Sequence, residues 1–269
     1  MMKPEYDQLF ARNRGFFSQK DIEKIRATRL VILGMGGTGG TAAVLLARTG
    51  FERFVLCDFD SFDVHNMNRQ IGCSVDTIGQ PKVTVCKDLV LNINPNAEVK
   101  TYCEKANQKL MESILEEGDI VLLCIDEDIY SVVRGVQKRS VPMIAGLNWG
   151  AVSICTTFVP SQGCDYLEWI GFEFPWLTKR AWKALRGDTG FTEEWLADAD
   201  RGKAYPTTMG ITVWLWSAIA SAEVVKMVTR RWEVVIAPRY WYITPRVIEI
   251  RESVTYKGIV RCLIEEARS

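Results

Sequence analysis

The chain has 269 residues, and Lys plus Arg balances Asp plus Glu at 33 each, so no net field favours nucleic acid or an anionic membrane. Apolar residues make up 48%, which excludes a disordered chain, and the length suits one α/β domain with a sizeable core. Met1–Asp7 has no signal-peptide character, and the apolar run Ile211–Ala222 contains Trp, Ser and Thr and is short for a membrane span, so a soluble, cytoplasmic protein is expected.

Residues 1–28 form a lead-in. Arg12 and Arg14 stand in a basic, glycine-ended stretch and read by themselves as a solvated surface pair. Ser18-Gln-Lys-Asp21 reads as a capping box opening a short helix through Arg26. Leu30–Leu33 is a run suited to a strand buried on both faces. Gly34, Gly36 and Gly39 then match G-x-G-x-x-G, and a helix-forming stretch from Thr41 stops at Gly50. Strand, glycine turn and helix give the setting in which backbone N–H groups approach a phosphate at a positive helix end; a plain packing turn is the alternative.

Arg53–Cys57 predicts a second buried strand, ending in Asp58-Phe59-Asp60. Asp58 lies 24 positions after Gly34, near the distance at which dinucleotide folds place an acid on a ribose hydroxyl. The loop Asp63–Gly72 carries Asn66, Asn68, Arg69 and Gln70, and Gly79-Gln80-Pro81-Lys82 opens another helix. An Arg and a Lys converging on that edge suit a triphosphate. His65, the only histidine, reads as a loop side chain.

A turn at 94–96 leads to an alternating strand, Ala97–Tyr102, nearer the sheet edge, and a polar helix over about 107–117. The buried strand Gly118–Ile125 delivers Asp126-Glu127-Asp128, which suits either Mg²⁺ or a helix N-terminus. A helix over 130–139 and strands over 141–146 and 151–158 follow. Residues 160–205 contain Trp169, Trp176, Trp182 and Trp195 and are expected to form short helices or a cover. A long helix, Ile211–Arg230, precedes two or three strands over Glu233–Ala237, Arg239–Thr244 and Val247–Arg251, then a polar tail.

The predicted class is α/β: a Rossmann-like, mostly parallel sheet with helices on both faces, continuing into antiparallel C-terminal strands. Its parts are the lead-in 1–28, a nucleotide-binding half 29–159, a crossover segment 160–205, and 206–269 completing the same domain. Eight cysteines form no C-x-x-C pair, so neither disulfides nor zinc is expected.

Gly34–Gly39, Asp58-Phe-Asp60, Asn66-Met-Asn-Arg69-Gln70, Gly79-Gln-Pro-Lys82 and Asp126, in that order, resemble the ThiF/MoeB/HesA family, relatives of the ubiquitin-activating enzymes. The resemblance covers about 10–160 most clearly and 206–250 less so, whereas an NAD-binding dehydrogenase shares only the first two elements. It implies ATP and Mg²⁺ as cofactors. Gly34, Gly36, Gly37 and Gly39 would surround the α-phosphate, with Asp58 on the ribose and Asp60 and Gln70 in the same nucleotide site. Asn66, Arg69 and Lys82 would meet the phosphates, and Asp126 would hold Mg²⁺. Arg12, or Arg14 if the alignment is offset, would reach the partner's γ-phosphate in a homodimer.

The implied reaction is adenylylation: a carboxylate, already ionised at neutral pH, attacks the α-phosphorus and pyrophosphate leaves. Departures from the family pattern are the missing zinc pairs, Glu127 where Asn is common, and a crossover offering only Cys164, between Gly163 and Asp165. The expected substrate is therefore a peptide carboxylate in natural-product maturation. A Gly-Gly-ended sulfur carrier, a tRNA-modifying cyclising dehydratase, and a non-catalytic nucleotide sensor are the alternatives. No membrane partner is expected, and no nucleic acid.

Overall fold

The computed structural model describes residues 4–170, 189–203 and 207–252. Eight strands form one sheet: β1 (Arg29–Leu33), β2 (Arg53–Cys57), β3 (Glu98–Tyr102), β4 (Ile120–Leu123), β5 (Met143–Trp149), β6 (Val152–Phe158), β7 (Arg239–Ile243) and β8 (Ile248–Glu252). Their order is β3-β2-β1-β4-β5-β6-β7-β8. The first five are parallel, and β6, β7 and β8 are added antiparallel, as the sequence predicts.

The helices are α1 (Tyr6–Leu9), α2 (Gln19–Ala27), α3 (Gly37–Thr49), α4 (Lys82–Ile93), α5 (Gln108–Ile114), α6 (Ile129–Lys138), α7 (Tyr166–Ile170), α8 (Glu193–Asp200) and α9 (Gly210–Thr229). Strand alternation sends Leu30, Ile32, Phe54 and Leu56 to one face, where α2, α3, α4 and α9 cover them. Val31, Leu33, Val55 and Val121 go to the other, beneath α5, α6 and α7. The Ser18–Asp21 capping box forms as expected, with the Asp21 N–H donating to Ser18 Oγ at 3.2 Å.

Several boundaries differ from expectation. The helix after the glycine turn starts at Gly37, four residues early. Strand β5 runs past Gly146 to Trp149, because β6 folds back on it and pairs every residue from Met143 to Trp149. The expected strand Glu233–Ala237 does not form; only Ile236 bridges to Thr157. Its ladder donor is diverted: the Val235 N–H donates to the wholly buried Glu223 of α9 at 2.9 Å. Glu223 also accepts from Trp241 Nε1 at 2.8 Å and Lys226 Nζ at 2.7 Å, so one satisfied carboxylate ties α9 to β7. Of the four crossover tryptophans, Trp176 and Trp182 lie outside the described residues, as does Cys262.

Helix α9 is 20 residues, one position earlier than the expected Ile211–Arg230, and by length and composition alone is apolar enough to cross a membrane. Half of it is buried, with Trp216, Ala220 and Val224 packed into the core beside α3, so here it works as a core helix.

One tight constraint is the crossing of α3 over β1. A Cβ on Gly39 would collide with the Gly34 carbonyl oxygen. Gly39→Ala is expected to lower the unfolding free energy by roughly 1–3 kcal/mol, read from a urea denaturation curve, because backbone cannot yield as a side chain does.

Candidate active site

The order of strand addition reverses between the parallel strands β1 and β4, and the crevice above their carboxyl ends is where open α/β sheets bind ligands. A cavity of about 410 Å³ opens there, within the range of small-molecule sites.

Its floor is the glycine turn. Gly34 has φ +89°, a left-handed conformation that glycine adopts without strain, and donates its N–H to the Cys57 carbonyl at 2.7 Å. A Cβ there would collide with the Cys124 carbonyl. Gly36 caps α3 without any side-chain cap, so the first-turn amides of a 13-residue helix are left for a ligand; Gly36, Gly37 and Thr38 all line the cavity. Gly39 does not line it. It is there for packing.

Strand β2 supplies the acids. Asp58 accepts the Met35 N–H at 2.5 Å and the Asp60 N–H at 2.9 Å, which fixes its carboxylate beside the glycine turn. Asp60 pairs with Lys82: Lys82 Nζ donates to Asp60 Oδ2 at 2.6 Å, and the Lys82 N–H donates to the Asp60 carbonyl at 3.0 Å. Burial works against ionised Asp60, but the Lys82 hydrogen bond prevails and holds its carboxyl below the usual range. Lys82 itself, at the start of α4, is only 6% exposed. A buried ammonium at a cavity wall needs an anion, and Asp60 is that anion here.

Arg69 reaches the cavity from the loop after β2. Its guanidinium donates to the His65 carbonyl at 2.9 Å and to Asn68 Oδ1 at 2.8 Å. The loop is clamped from the far end of the chain, since Trp214 Nε1 donates to the Arg69 carbonyl at 2.8 Å. Gln70 is buried against Gly36, and its Oε1 has no hydrogen-bond partner among the described residues. A buried orphan polar atom on a ligand-sized cavity suits a polar ligand. Asn66 is placed differently: buried, it accepts the Asp63 N–H at 3.0 Å and does not line the cavity.

Burial in the cavity wall raises the Asp126 carboxyl above the usual range; Arg69 and Lys82 oppose the rise and Glu127 adds to it. The three acids after β4 part company. Asp126 stays in the cavity and Glu127 pairs with Lys105 at 3.0 Å, while Asp128 starts α6 in a left-handed conformation at φ +55°. Among the described residues no three metal-ligating side chains converge. That is compatible with Mg²⁺, which is held by one or two carboxylates together with phosphate oxygens and water. The glycine cradle and the Lys82 and Arg69 cations fit a Mg-bound triphosphate, and the Gln70 oxygen suits a hydrogen-bond donor elsewhere on the same ligand, such as a ribose hydroxyl.

Arg12 lies in an exposed 3₁₀ turn, Ala11–Asn13, and is not part of its own chain's cavity. Arg14 forms an exposed pair with Asp7 at 2.6 Å. The sequence reading missed Lys105, Asn148, Thr208, Val213 and Trp216, which also line the cavity. Only β5 offered a signal: its alternation continues beyond Gly146 to Asn148. Thr208 and Trp216 arrive from the distant α9 region, which no local pattern connects to this edge.

The model of the ThiF family matches residues 10–257. The tRNA threonylcarbamoyladenosine dehydratase of Bacillus subtilis is 33% identical over 141 residues, 51% of this chain and 56% of that protein. The molybdopterin-synthase adenylyltransferase of Haemophilus influenzae is 32% identical over 126 residues, 46% and 52% respectively. The matched stretch thus spans about half the length of these curated relatives. In fold, the chain is similar to the structure of E. coli MccB with ATP, at a TM-score of 0.72 and 19% identity, over 94% of this chain and 71% of that one. A selenomethionine structure of PaaA gives a TM-score of 0.73 and 21% identity, over 94% and 84%. With the family model spanning most of its length, and the glycine turn, acids and cations gathered at one sheet edge, the chain belongs to the ThiF family.

Proposed function

We propose that the protein is an ATP-dependent adenylyltransferase acting on a substrate carboxylate, most specifically that of a peptide in natural-product maturation. One observation carries the reading: buried Lys82, Arg69 and the uncapped α3 amides share a cavity with Asp58 and Asp126. Two cations and a helix end neutralise a polyphosphate, and Asp58 has the position of a ribose ligand. A carboxylate oxygen forms a bond to the α-phosphorus while the α–β bridging bond breaks, and pyrophosphate leaves with that electron pair. No protein base is needed. The chain's task is alignment and charge neutralisation, with Lys82 exchanging Asp60 for phosphate oxygens. Mg²⁺, held by Asp126, would supply further neutralisation of the triphosphate.

The likeness in fold to a microcin C7 biosynthetic enzyme over 94% of the chain supports the peptide reading. Similarity to molybdopterin-synthase adenylyltransferases supports a Gly-Gly carrier as second reading, and the Bacillus dehydratase supports a tRNA-linked carboxylate as third. Exchange of labelled pyrophosphate into ATP, stimulated by peptide, by Gly-Gly carrier or by tRNA, separates the three, and absence of exchange with all of them contradicts adenylylation. A thioester step has little support. Burial and the neighbouring Glu168 and Asp165 push the Cys164 thiol up to about 11, the wrong direction for a nucleophile. The seven described cysteines are free thiols, which suits the cytoplasm where we place the protein.

Arg69→Ala and Lys82→Ala are each expected to reduce exchange about 100-fold or more while leaving the thermal midpoint nearly unchanged. Arg12 is proposed to act across a homodimer. Arg12→Ala and Lys82→Ala chains, each inactive alone, should therefore recover up to about a quarter of wild-type exchange when mixed, because each heterodimer rebuilds one intact site. No recovery on mixing places Arg12 outside the reaction or in its own chain's site. Asp126→Asn should abolish Mg²⁺-dependent exchange while leaving the fold intact by circular dichroism.

A further inference from the structure

The cavity has two unlike walls. Asp58, Asp60, Arg69, Lys82 and Asp126 make one strongly charged. A second part of the lining, from β5 and the start of α9, is neutral: Gly146, Leu147, Val213 and Trp216, with Asn148 and Thr208 as its polar side chains, and it meets the charged part where Arg69 packs beside Val213. The Trp216 indole N–H is already spent on the Ile154 carbonyl at 2.9 Å. A polyphosphate gains nothing on a neutral wall, whereas an uncharged acyl group is at home there.

We propose that Asn148 binds the acyl oxygen of the substrate, an assignment that rests on the adenylylation reading above. The orientation of its amide is set by its neighbour. Asn148 lies directly across the hairpin from Ser153, and Ser153 Oγ donates to Asn148 Oδ1 at 2.7 Å. Ser153 is wholly buried, and among the described residues Asn148 Oδ1 is the acceptor of its hydroxyl proton. Turning the amide over would strand that proton, a penalty larger than the bond itself is worth. The Asn148 NH₂ group is therefore held facing away from Ser153. It makes no hydrogen bond among the described residues, and the side chain lines the cavity.

The result is a pre-oriented neutral donor in the same cavity as the phosphate-binding cations, on the β5 part of its lining. A neutral donor suits a carboxylate that must become an ester-like acyl phosphate. It holds the oxygen that stays on carbon without binding the ground-state anion as tightly as a cation would. Ser153 is the positioning residue behind it. Strand β5 presents Asn148 only because it continues three residues past Gly146, and close backbone pairing at Gly146, where a Cβ would collide with the Ile154 carbonyl, keeps that extension in register.

Calorimetric binding of two probes tests the assignment: 5′-O-sulfamoyladenosine and its N-acetyl derivative, which differ in the acyl group. The acetyl group is expected to strengthen binding to the wild-type chain. Asn148→Ala should lose about ten-fold of that gain, and Ser153→Ala part of it, with the affinity for sulfamoyladenosine unchanged. Asn148→Asp keeps the shape and the Ser153 bond but removes the donor, so it should fold normally and lose the acetyl gain as fully as the alanine variant. An equal acetyl gain in the wild type and in Asn148→Asp overturns the assignment and leaves adenylylation standing. Failure of the wild type to bind either probe overturns the nucleotide reading itself, and this inference with it.

Discussion

The site depends on a place where two stretches of backbone approach too closely for any side chain. Gly34 turns off β1 with its flank against the Cys124 carbonyl of the β4 exit, and Gly39 crosses back over the Gly34 carbonyl. This contact docks α3 on the sheet and aims its first amides into the crevice at the switch point. It also brings the Met35 N–H to Asp58, so the turn and the β2 acid are built as one object. Two of the motif glycines therefore serve geometry, and the ligand-facing work falls to Gly36, Gly37 and Thr38.

Around that object the charges are arranged in pairs that a ligand would have to exchange. Buried Lys82 is paired with the exposed carboxylate of Asp60, and Arg69 is satisfied by carbonyl and amide oxygens of its own loop. Lys105 meets Glu127 at the mouth. Each cation keeps its position without phosphate, at the cost of a partner that phosphate must replace. Asp126 is the exception. Among the described residues it has no such pair, and desolvation within the cavity raises its carboxyl above the usual range.

The distant parts of the chain act on the same edge through backbone and indole bonds. The turn between β5 and β6 is an anchor: the Gly150 N–H donates to Thr207 and the Met209 N–H to Gly150, while the Ala151 N–H donates to Thr189. Thr189 of the crossover and the stretch that leads into α9 are thereby tied to the strand pair that carries Asn148. Trp214 then clamps the Arg69 loop, and the buried Glu223 locks α9 to β7. The antiparallel extension of the sheet is thus part of the site's frame.

The parallel half of the fold and most of the charged wall were legible along the chain, because each depends on local signals. Buried strands read as short apolar runs, the glycine turn has fixed spacing, and Asp58, Arg69, Lys82 and Asp126 follow strand ends where α/β sheets place their ligands. Tertiary structure alone decided the rest. The 233–237 strand was lost because Glu223 takes the Val235 N–H from a helix twelve residues earlier. Asn66 turned inward as a loop brace, and the three acids after β4 separated. The neutral wall, with Asn148 oriented by Ser153 and completed by Thr208 and Trp216, exists only where β5, β6 and α9 meet. Periodicity records which face of an element is buried; it holds no information on which distant element shares that face.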